Sequence, residues 1–552
     1  MHRAPHLVAA ELPHARERAP APLRIKIATE AWEHDAIHRL NHRTFVDEIP
    51  QHAADPSGRL VDRFDNENTY LVAVRGHQLL AMIAVRGTRP FSLDDKLPEL
   101  ESYLPAGRRL CELRLLAVDP SRRAGLLLHR LLARVWRYCL AEGYDAALIS
   151  ATTRQLKLYR HLGFEPFGPL LGSGDALFQP MLLTLERALP RAGRLFQRVT
   201  PEPGAPTINL LPGPVAVHRQ VRRALLAPPE SHRSPAFCTD LAATQARLTS
   251  LTGARRAAIL LGSGTVANDA IAAQLSLTRA PGLILSNGEF GERLVAHAAG
   301  FGLRADVMRW PWGDPLDLEA IARRLGQPPA VGWMWAVHVE TSTGVLNDVD
   351  ALTTLCRRSD AKLCVDAISS LGLVPLDLRE VSFASGVSGK GLGAFPGLAL
   401  VLYHHDIQPS TSGVPRYLDL GLYAGDGVPF THSSNLLRAL QTSIGRVNWE
   451  RRFRIVAERS AGLRARLREL GFHVVAADAD AAPGIVTIAL PATLPSVPTG
   501  GELERLGFAV ACHSRYLRDR NWIQISLMGH PSSRQLHAVV DALHRICEDA
   551  VT

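Results

Sequence analysis

The stretch Val387-Ser388-Gly389-Lys390-Gly391-Leu392-Gly393-Ala394-Phe395-Pro396-Gly397 constrains this chain more than any other. A lysine in a turn of small residues, with Pro-Gly behind it, suits a lysine that holds a carbonyl cofactor. An amine attacks a carbonyl only when deprotonated, so it needs a partly desolvated, cation-rich pocket. The glycines let the backbone approach a ligand closely. Taken alone, the same stretch also fits a surface turn, and its neighbours have to decide.

Upstream, Lys362-Leu363-Cys364-Val365-Asp366-Ala367-Ile368-Ser369-Ser370 reads as a buried strand that ends in an acid. An aspartate at such an end can pair with a pyridinium nitrogen and keep the ring an electron sink. Further upstream, Leu260-Leu261-Gly262-Ser263-Gly264-Thr265 precedes a helical run from Val266 to Leu277. Small residues at a helix start make a phosphate cradle from free N–H groups and the helix dipole. Cradle, acid and lysine in that order are the layout of a pyridoxal-phosphate site on a large α/β domain.

From about residue 205 to 552 the chain resembles class V, fold-type I pyridoxal-phosphate aminotransferases. The resemblance is nearest to the branch that holds 2-aminoethylphosphonate–pyruvate and alanine–glyoxylate transaminases. It is carried by Leu211-Pro212-Gly213-Pro214, His232-Arg233-Ser234-Pro235-Ala236-Phe237, Gly262-Ser263-Gly264-Thr265 and Ser286-Asn287-Gly288-Glu289-Phe290-Gly291-Glu292-Arg293. Glu340-Thr341-Ser342-Thr343-Gly344, Val365-Asp366-Ala367-Ile368-Ser369-Ser370 and the Lys390 loop complete it.

The resemblance implies roles. Lys390 carries the cofactor and then moves the substrate proton, while Asp366 faces the pyridine nitrogen. Ser263, Gly264 and Thr265 hold the phosphate. Phe290 stacks on one ring face and Ile368 packs on the other, and Thr341 bonds near the ring oxygen. Thr431, in Pro429-Phe430-Thr431-His432-Ser433, aligns with a threonine that reaches the phosphate from the partner subunit of a homodimer. Each has a plainer alternative: a helix cap for Ser263 and Thr431, a core residue for Phe290 and Ile368, a turn residue for Thr341.

One departure stands out. The family pattern places an arginine near the C-terminus, whose fork grips the substrate α-carboxylate. In Ile523-Gln524-Ile525-Ser526-Leu527-Met528-Gly529 that position is Gln524. An amide lacks the charge. Either Arg515, Arg518 or Arg520 substitutes, or one substrate lacks an α-carboxylate.

Ahead of this part, residues 23–188 alternate strands and helices. Thr69–Val74 and Leu79–Val85 read as a hairpin. Cys111–Val118 reads as a strand, Leu126–Glu142 as a helix and Tyr144–Ala151 as another strand. The unit resembles the GNAT superfamily of N-acetyltransferases through Arg122-Arg123-Ala124-Gly125 and Leu158-Tyr159-Arg160-His161-Leu162-Gly163-Phe164. It implies that Val118, Arg122, Arg123, Ala124 and Gly125 grip acyl-CoA, although Leu127 replaces a small residue of the family's cradle. Asn41–Glu48, Asp62-Arg63-Phe64-Asp65 and Glu112-Leu113-Arg114-Leu115 resemble acyl-homoserine-lactone synthases, whose thioester often comes from acyl carrier protein. On that resemblance Glu112 is a general base and Tyr159 protonates the leaving thiolate; a salt-bridged strand residue and a packed aromatic are the alternatives.

A chain of 552 residues implies two or three domains. The expected division is a flexible leader (1–22), a GNAT-like domain (23–188), a linker (189–206), a cofactor-binding large domain (207–440) and a small domain (441–552). No apolar run is long enough for a membrane span and no signal core precedes the first domain, so a cytoplasmic enzyme is expected. Seven cysteines without paired spacing argue for free thiols and against a metal cluster. The formal net charge of +9 is mostly arginine, as at Arg452, Arg454, Arg459, Arg464 and Arg466, and reads as a solvated basic face rather than a nucleic-acid site.

The expectation is a bifunctional enzyme that transfers an amino group between a small amine and an oxo acceptor and acylates an amine from a thioester. A lyase or an acyl-condensing carbon–carbon bond-forming enzyme is the alternative. The first domain could also be a non-catalytic module that binds an acyl carrier or another ligand.

Overall fold

The computed structural model describes residues 22–49, 52–53, 55–122, 126–172, 177–188, 207–411, 413–425 and 427–551. The expected leader up to residue 21 and the linker 189–206 lie outside the described residues. The chain divides into two compact units, one from Met1–Cys139 with Tyr144–Ala205, the other from Leu140–Gly143 with Pro206–Thr552.

The first unit is a seven-stranded sheet. In chain order its strands are β1 (Leu23–Ile27), β2 (Thr69–Arg75), β3 (Gln78–Arg86), β4 (Leu110–Val118), β5 (Ala146–Thr152), β6 (Glu165–Pro166) and β7 (Phe178–Thr184). Their order across the sheet is β1-β2-β3-β4-β5-β7-β6. β2 and β3 form the expected hairpin, turned by Gly76 at φ +58°. β4 and β5 run parallel, joined through the helix Leu127–Glu142, and pair only from Leu110 to Glu112 against Ala146 to Leu148. Beyond Glu112 no ladder joins them, and Leu115 in β4 sits at φ +53°. That local break opens the sheet.

In the second unit, β8 (Ile208–Asn209) comes first. Then follow β9 (Arg256–Gly262), β10 (Gly282–Ser286), β11 (Ala305–Arg309), β12 (Trp333–Val337), the short hairpin of β13 (Val339–Glu340) and β14 (Val345–Leu346), β15 (Lys362–Asp366), β16 (Phe383–Val387) and β17 (Gly397–Tyr403). The main sheet has the order β11-β10-β12-β15-β16-β17-β9. β17 alone is antiparallel to both neighbours, so the others share one direction. β12 and most of β15 are apolar and buried, as strands covered on both faces must be. Leu283 and Leu285 of β10 face one core layer and Ile284 the other, the period-two alternation that splits the core. Gly262, Asp366 and Val387 therefore end at the same edge of the sheet. Open α/β sheets place their ligands outside that edge.

The remaining strands are β18 (His473–Val474), β19 (Ile485–Ala489), β20 (Phe508–Ala509) and β21 (Trp522–Ser526). β18, β19 and β21 form a small sheet, packed with the helix Trp449–Glu469, while β20 pairs with β8. The arginines of that helix do not all face water. Arg452 and Arg464 are buried, the first donating to the Met528 carbonyl and the second to Asp478 and Ser460. No helix among the described residues is long and apolar enough to cross a membrane.

Candidate active site

The Lys390 loop is a hairpin between β16 and β17, knotted by its own hydrogen bonds. Ser388 Oγ donates to the Phe395 carbonyl at 2.6 Å, and Gly393 N donates to the Lys390 carbonyl at 2.8 Å. Gly391 has to be glycine, because a Cβ there would collide with the Leu371 carbonyl oxygen. The loop points Lys390 into a cavity of about 480 Å³.

Lys390 Nζ donates to Ser369 Oγ at 2.9 Å, and Ser369 Oγ lies 2.5 Å from Thr341 Oγ1. The amine sits 5.3 Å from the Phe290 ring centroid. Desolvation brings its pKa down to about 8, with Asp366 and Glu340 pulling the other way and Arg293 adding to the lowering. Between about pH 8 and pH 10.5 the folded protein holds this amine neutral while an unfolded chain would protonate it. Between these two values the unfolded state binds more protons, so cofactor-free protein gains stability as pH rises through that window. Lys390→Met should stabilise the cofactor-free protein at pH 7, and its advantage should shrink between pH 8 and pH 10.5. Melts of both proteins across that range check the sign.

Asp366 lies at the end of β15, buried, with Oδ2 accepting from Asn268 Nδ2 at 2.9 Å and Oδ1 from the Ile368 amide at 2.9 Å. Asn268 sits one turn into the helix Gly264–Thr278, so this contact ties cradle to acid. Its Oδ1 is buried with no partner. Ser263 caps the helix by backbone alone, and its hydroxyl makes no capping bond. Gly262, Ser263, Gly264 and Thr265 line the cavity, and a Cβ on Gly264 would meet Ile368 Cδ1 at 2.5 Å.

Phe290, Arg293 and His297 share one face of the helix Glu289–Gly300, and all three line the cavity. That helix is anchored by Glu340, a fully buried carboxylate that accepts from the amides of Phe290 at 3.3 Å and Gly291 at 3.1 Å. Burial pushes the Glu340 pKa up, while the bonds from Ser342, Gly291 and Phe290 oppose that rise. Arg293 pairs with Glu289 through two contacts of 3.1 Å. An exposed pair one turn apart on a helix contributes about 0.3–0.5 kcal/mol, so it is easily exchanged.

Lys390, Asp366, Ser263, Gly264, Thr265, Phe290 and Ile368 thus meet at one cavity. Thr341 reaches it only through Ser369. Thr431 is exposed and outside the lining. Gln524 and Arg515 stand outside the cavity lining. Gln524 is fully buried: its Nε2 donates to the carbonyls of Thr341 and Ser342 and to Thr487 Oγ1, while Oε1 accepts from the Tyr516 hydroxyl at 3.0 Å. It brings no free group to the cavity. Arg515 is exposed and pairs with Asp519, and Arg520 stacks on Trp312 with its guanidinium carbon 3.5 Å from the ring centroid. Asn268, Ser369, Arg293 and His297 had no role assigned from sequence. The helical spacing of Phe290, Arg293 and His297, which starts in the quoted motif and runs four residues past its end, is the available signal for two of them.

In the first unit, a cavity of about 680 Å³ opens where β4 and β5 part. Leu113 to Leu116 line it from one side and Ile149, Ser150 and Thr152 from the other. Glu112 and Tyr159 both reach it. Glu112 is buried and accepts from Ser92 N at 2.8 Å and Ser92 Oγ at 2.5 Å, with Arg114 at 3.5 Å. Arg114 is held in turn by a bidentate pair with Asp62 at 2.8 and 2.9 Å. Tyr159 donates to Gln155 at 3.3 Å and packs edge-on against Phe164; burial pushes its pKa up to about 12. Val118, the last residue of β4, packs against the core rather than lining the cavity. The Arg123, Ala124 and Gly125 of the expected acyl-CoA grip, with the Arg122 side chain, lie outside the described residues.

A desolvated amine, a buried carboxylate, an aromatic ring and a helix N-terminus around one cavity fit a phosphorylated carbonyl cofactor. The class-V aminotransferase family model matches residues 229–413, and the model described as N-acyl amino acid synthase FeeM matches residues 36–183. A soluble hydrogenase 42 kDa subunit of Anabaena cylindrica is 32% identical over 305 residues, spanning 51% of this chain and 78% of that protein. A 2-aminoethylphosphonate–pyruvate transaminase of Pseudomonas entomophila is 30% identical over 223 residues, 39% of this chain and 60% of that one. The crystal structure of an alanine–glyoxylate aminotransferase from Nostoc sp. aligns with a TM-score of 0.56 at 26% identity, covering 64% of this chain and 98% of that one. This chain belongs to the class-V aminotransferases, pyridoxal-phosphate transferases of fold type I, and carries an N-acyl amino acid synthase domain at its N-terminal side.

Proposed function

We propose that the second unit moves an amino group between a small amine and an oxo acid, and that the first unit acylates an amine from an acyl-CoA or acyl-carrier thioester. The amine made by one unit is the candidate acceptor of the other. The observation that carries the first half is the neutral-prone amine of Lys390, framed by Ser369, Phe290 and Asp366 around a single cavity.

Pyridoxal phosphate supplies an electron sink that acidifies the carbon bearing the substrate nitrogen. Lys390 would hold that cofactor through its amine and would move the proton at the carbon bearing the substrate nitrogen. Ser369 orients the amine, and Thr341 fixes the Ser369 hydroxyl. Asp366, positioned by Asn268, offers its carboxylate to the ring nitrogen. Phe290 and Ile368 keep water off the two ring faces, and the amides of 263–265 hold the phosphate. Thr431 of the partner subunit completes the phosphate end in a cytoplasmic homodimer.

In the first unit, which we read as a GNAT-like fold, the parting of β4 and β5 leaves a slot with apolar walls for an acyl chain. Glu112 takes the proton of the attacking amine, directly or through water, and Tyr159, its hydroxyl kept protonated by burial, donates to the departing thiolate.

The test follows the visible absorbance of the purified holoenzyme while amines are added, 2-aminoethylphosphonate and alanine first, with pyruvate and glyoxylate as acceptors. Conversion to the amine form and its reversal by an oxo acid is the expected result; no conversion with any amine would sink the transfer reading. Release of free thiol from acyl-CoA with the amine product should fall about a hundredfold in Glu112→Gln. Thiol release equal in both proteins would remove Glu112 from the chemistry.

A further inference from the structure

We propose that Arg293 is the group that receives the carboxylate of an α-amino or 2-oxo acid at this site, exchanging its resident partner Glu289 for the ligand. The inference rests on the amino-transfer reading above and names the substrate class that reading leaves open. Four observations carry it. The residue at the expected clamp position, Gln524, has its amide committed to Thr341, Ser342, Thr487 and Tyr516. Arg515 is paired with Asp519 and Arg520 is stacked on Trp312, and neither lines the cavity. Arg293 is the one guanidinium among the described lining residues. It also shares an aromatic neighbour with Lys390: its guanidinium carbon lies 4.7 Å from the centroid of the Phe290 ring, and Lys390 Nζ lies 5.3 Å from that same centroid.

The pairing with Glu289 gives the site two settings. Glu289 Oε1 accepts from Nε and one Nη of Arg293. A ligand carboxylate offers the same fork two oxygens in a drier place beside Lys390, where charge-assisted bonds are stronger. A donor amine with no carboxylate leaves the Glu289 pair in place, so no cation is stranded without a partner. One cavity can then take a carboxylate-free donor and a carboxylate-bearing acceptor in turn.

Two probes with the same reacting group separate these settings: aminooxyacetate, which has a carboxylate, and methoxyamine, which has none. Each is titrated into holoenzyme and read by the loss of the cofactor's visible band. Wild-type protein should respond to aminooxyacetate at a concentration at least about tenfold lower than to methoxyamine, and Arg293→Ala should erase that difference. Arg293→Lys should restore part of the preference, since it keeps the charge without the fork. Glu289→Gln should sharpen the preference by freeing the guanidinium. A preference that survives in Arg293→Ala with its cofactor spectrum intact overturns the proposal. If that variant fails to retain cofactor, an unchanged preference in Glu289→Gln overturns it instead. A wild-type holoenzyme spectrum that neither probe alters, or a wild-type protein with no cofactor band, overturns the amino-transfer reading and this proposal together.

Discussion

Lys390→Met is expected to lower amino transfer by about 10³-fold or more, at the upper end of what one positioned proton-transfer group contributes. The residue has two jobs that no neighbour can take over. It is the only side-chain amine among the described lining residues, and its nitrogen is held by Ser369, with its pKa lowered to about 8 by desolvation. Methionine keeps most of the volume, so the hairpin between β16 and β17 should still form. The measurement is single-turnover conversion of donor, with cofactor retention followed by absorbance after gel filtration. Added methylamine should return a small part of the rate, because a free amine can move the proton without being positioned. A variant that keeps within tenfold of wild-type turnover would assign the proton transfer to another group.

The second large effect concerns stability. Gln524→Leu should destabilise the second unit by about 3 kcal/mol, as several buried polar groups lose their partner together. The amide joins β21 to the Thr341–Ser342 turn and to Thr487 of β19, and it also holds the Tyr516 hydroxyl. Leucine matches its size but satisfies none of these. Gln524→Arg should be at least as damaging, because it places a charge among four bonding partners, Thr341, Ser342, Thr487 and Tyr516, that are all neutral. Urea melts report both, and a midpoint unchanged in Gln524→Leu would show that water repairs the site.

That contrast explains what sequence could and could not reveal. The cradle, Asp366 and the Lys390 loop were legible because each is a local grammar: a glycine-rich turn before a helix, an acid at a strand end, a lysine between glycines. Gln524 was misleading because its partners come from residues 341, 342, 487 and 516, and only the folded chain brings them together. Arg293 stood in a quoted motif, yet nothing local marks a surface arginine as facing a cavity. Arg452 and Arg464 were read with the solvated arginines for the same reason, their partners Met528 and Asp478 lying outside the helix. In the first unit the parting of β4 from β5 depends on where a ladder stops, and that is a property of two strands rather than of either one.

The antiparallel course of β17 has one more consequence. Its ladder with β9 pairs Gly397 with Gly262, so the strand leaving the lysine hairpin is bonded rung by rung to the strand that delivers the phosphate cradle. Each rung is about 3.3 Å of chain, whereas a catalytic group tolerates misplacement of only about 0.5 Å. The two strands act as the scales of a vernier, and no intermediate setting exists. Substitutions between Lys390 and Gly397 can be absorbed wherever space allows, but an insertion or deletion there must either be taken up inside the hairpin loop or move the amine by a whole notch relative to the cradle. Over this segment the spacing of the chain, more than the identity of its residues, is what function cannot let drift.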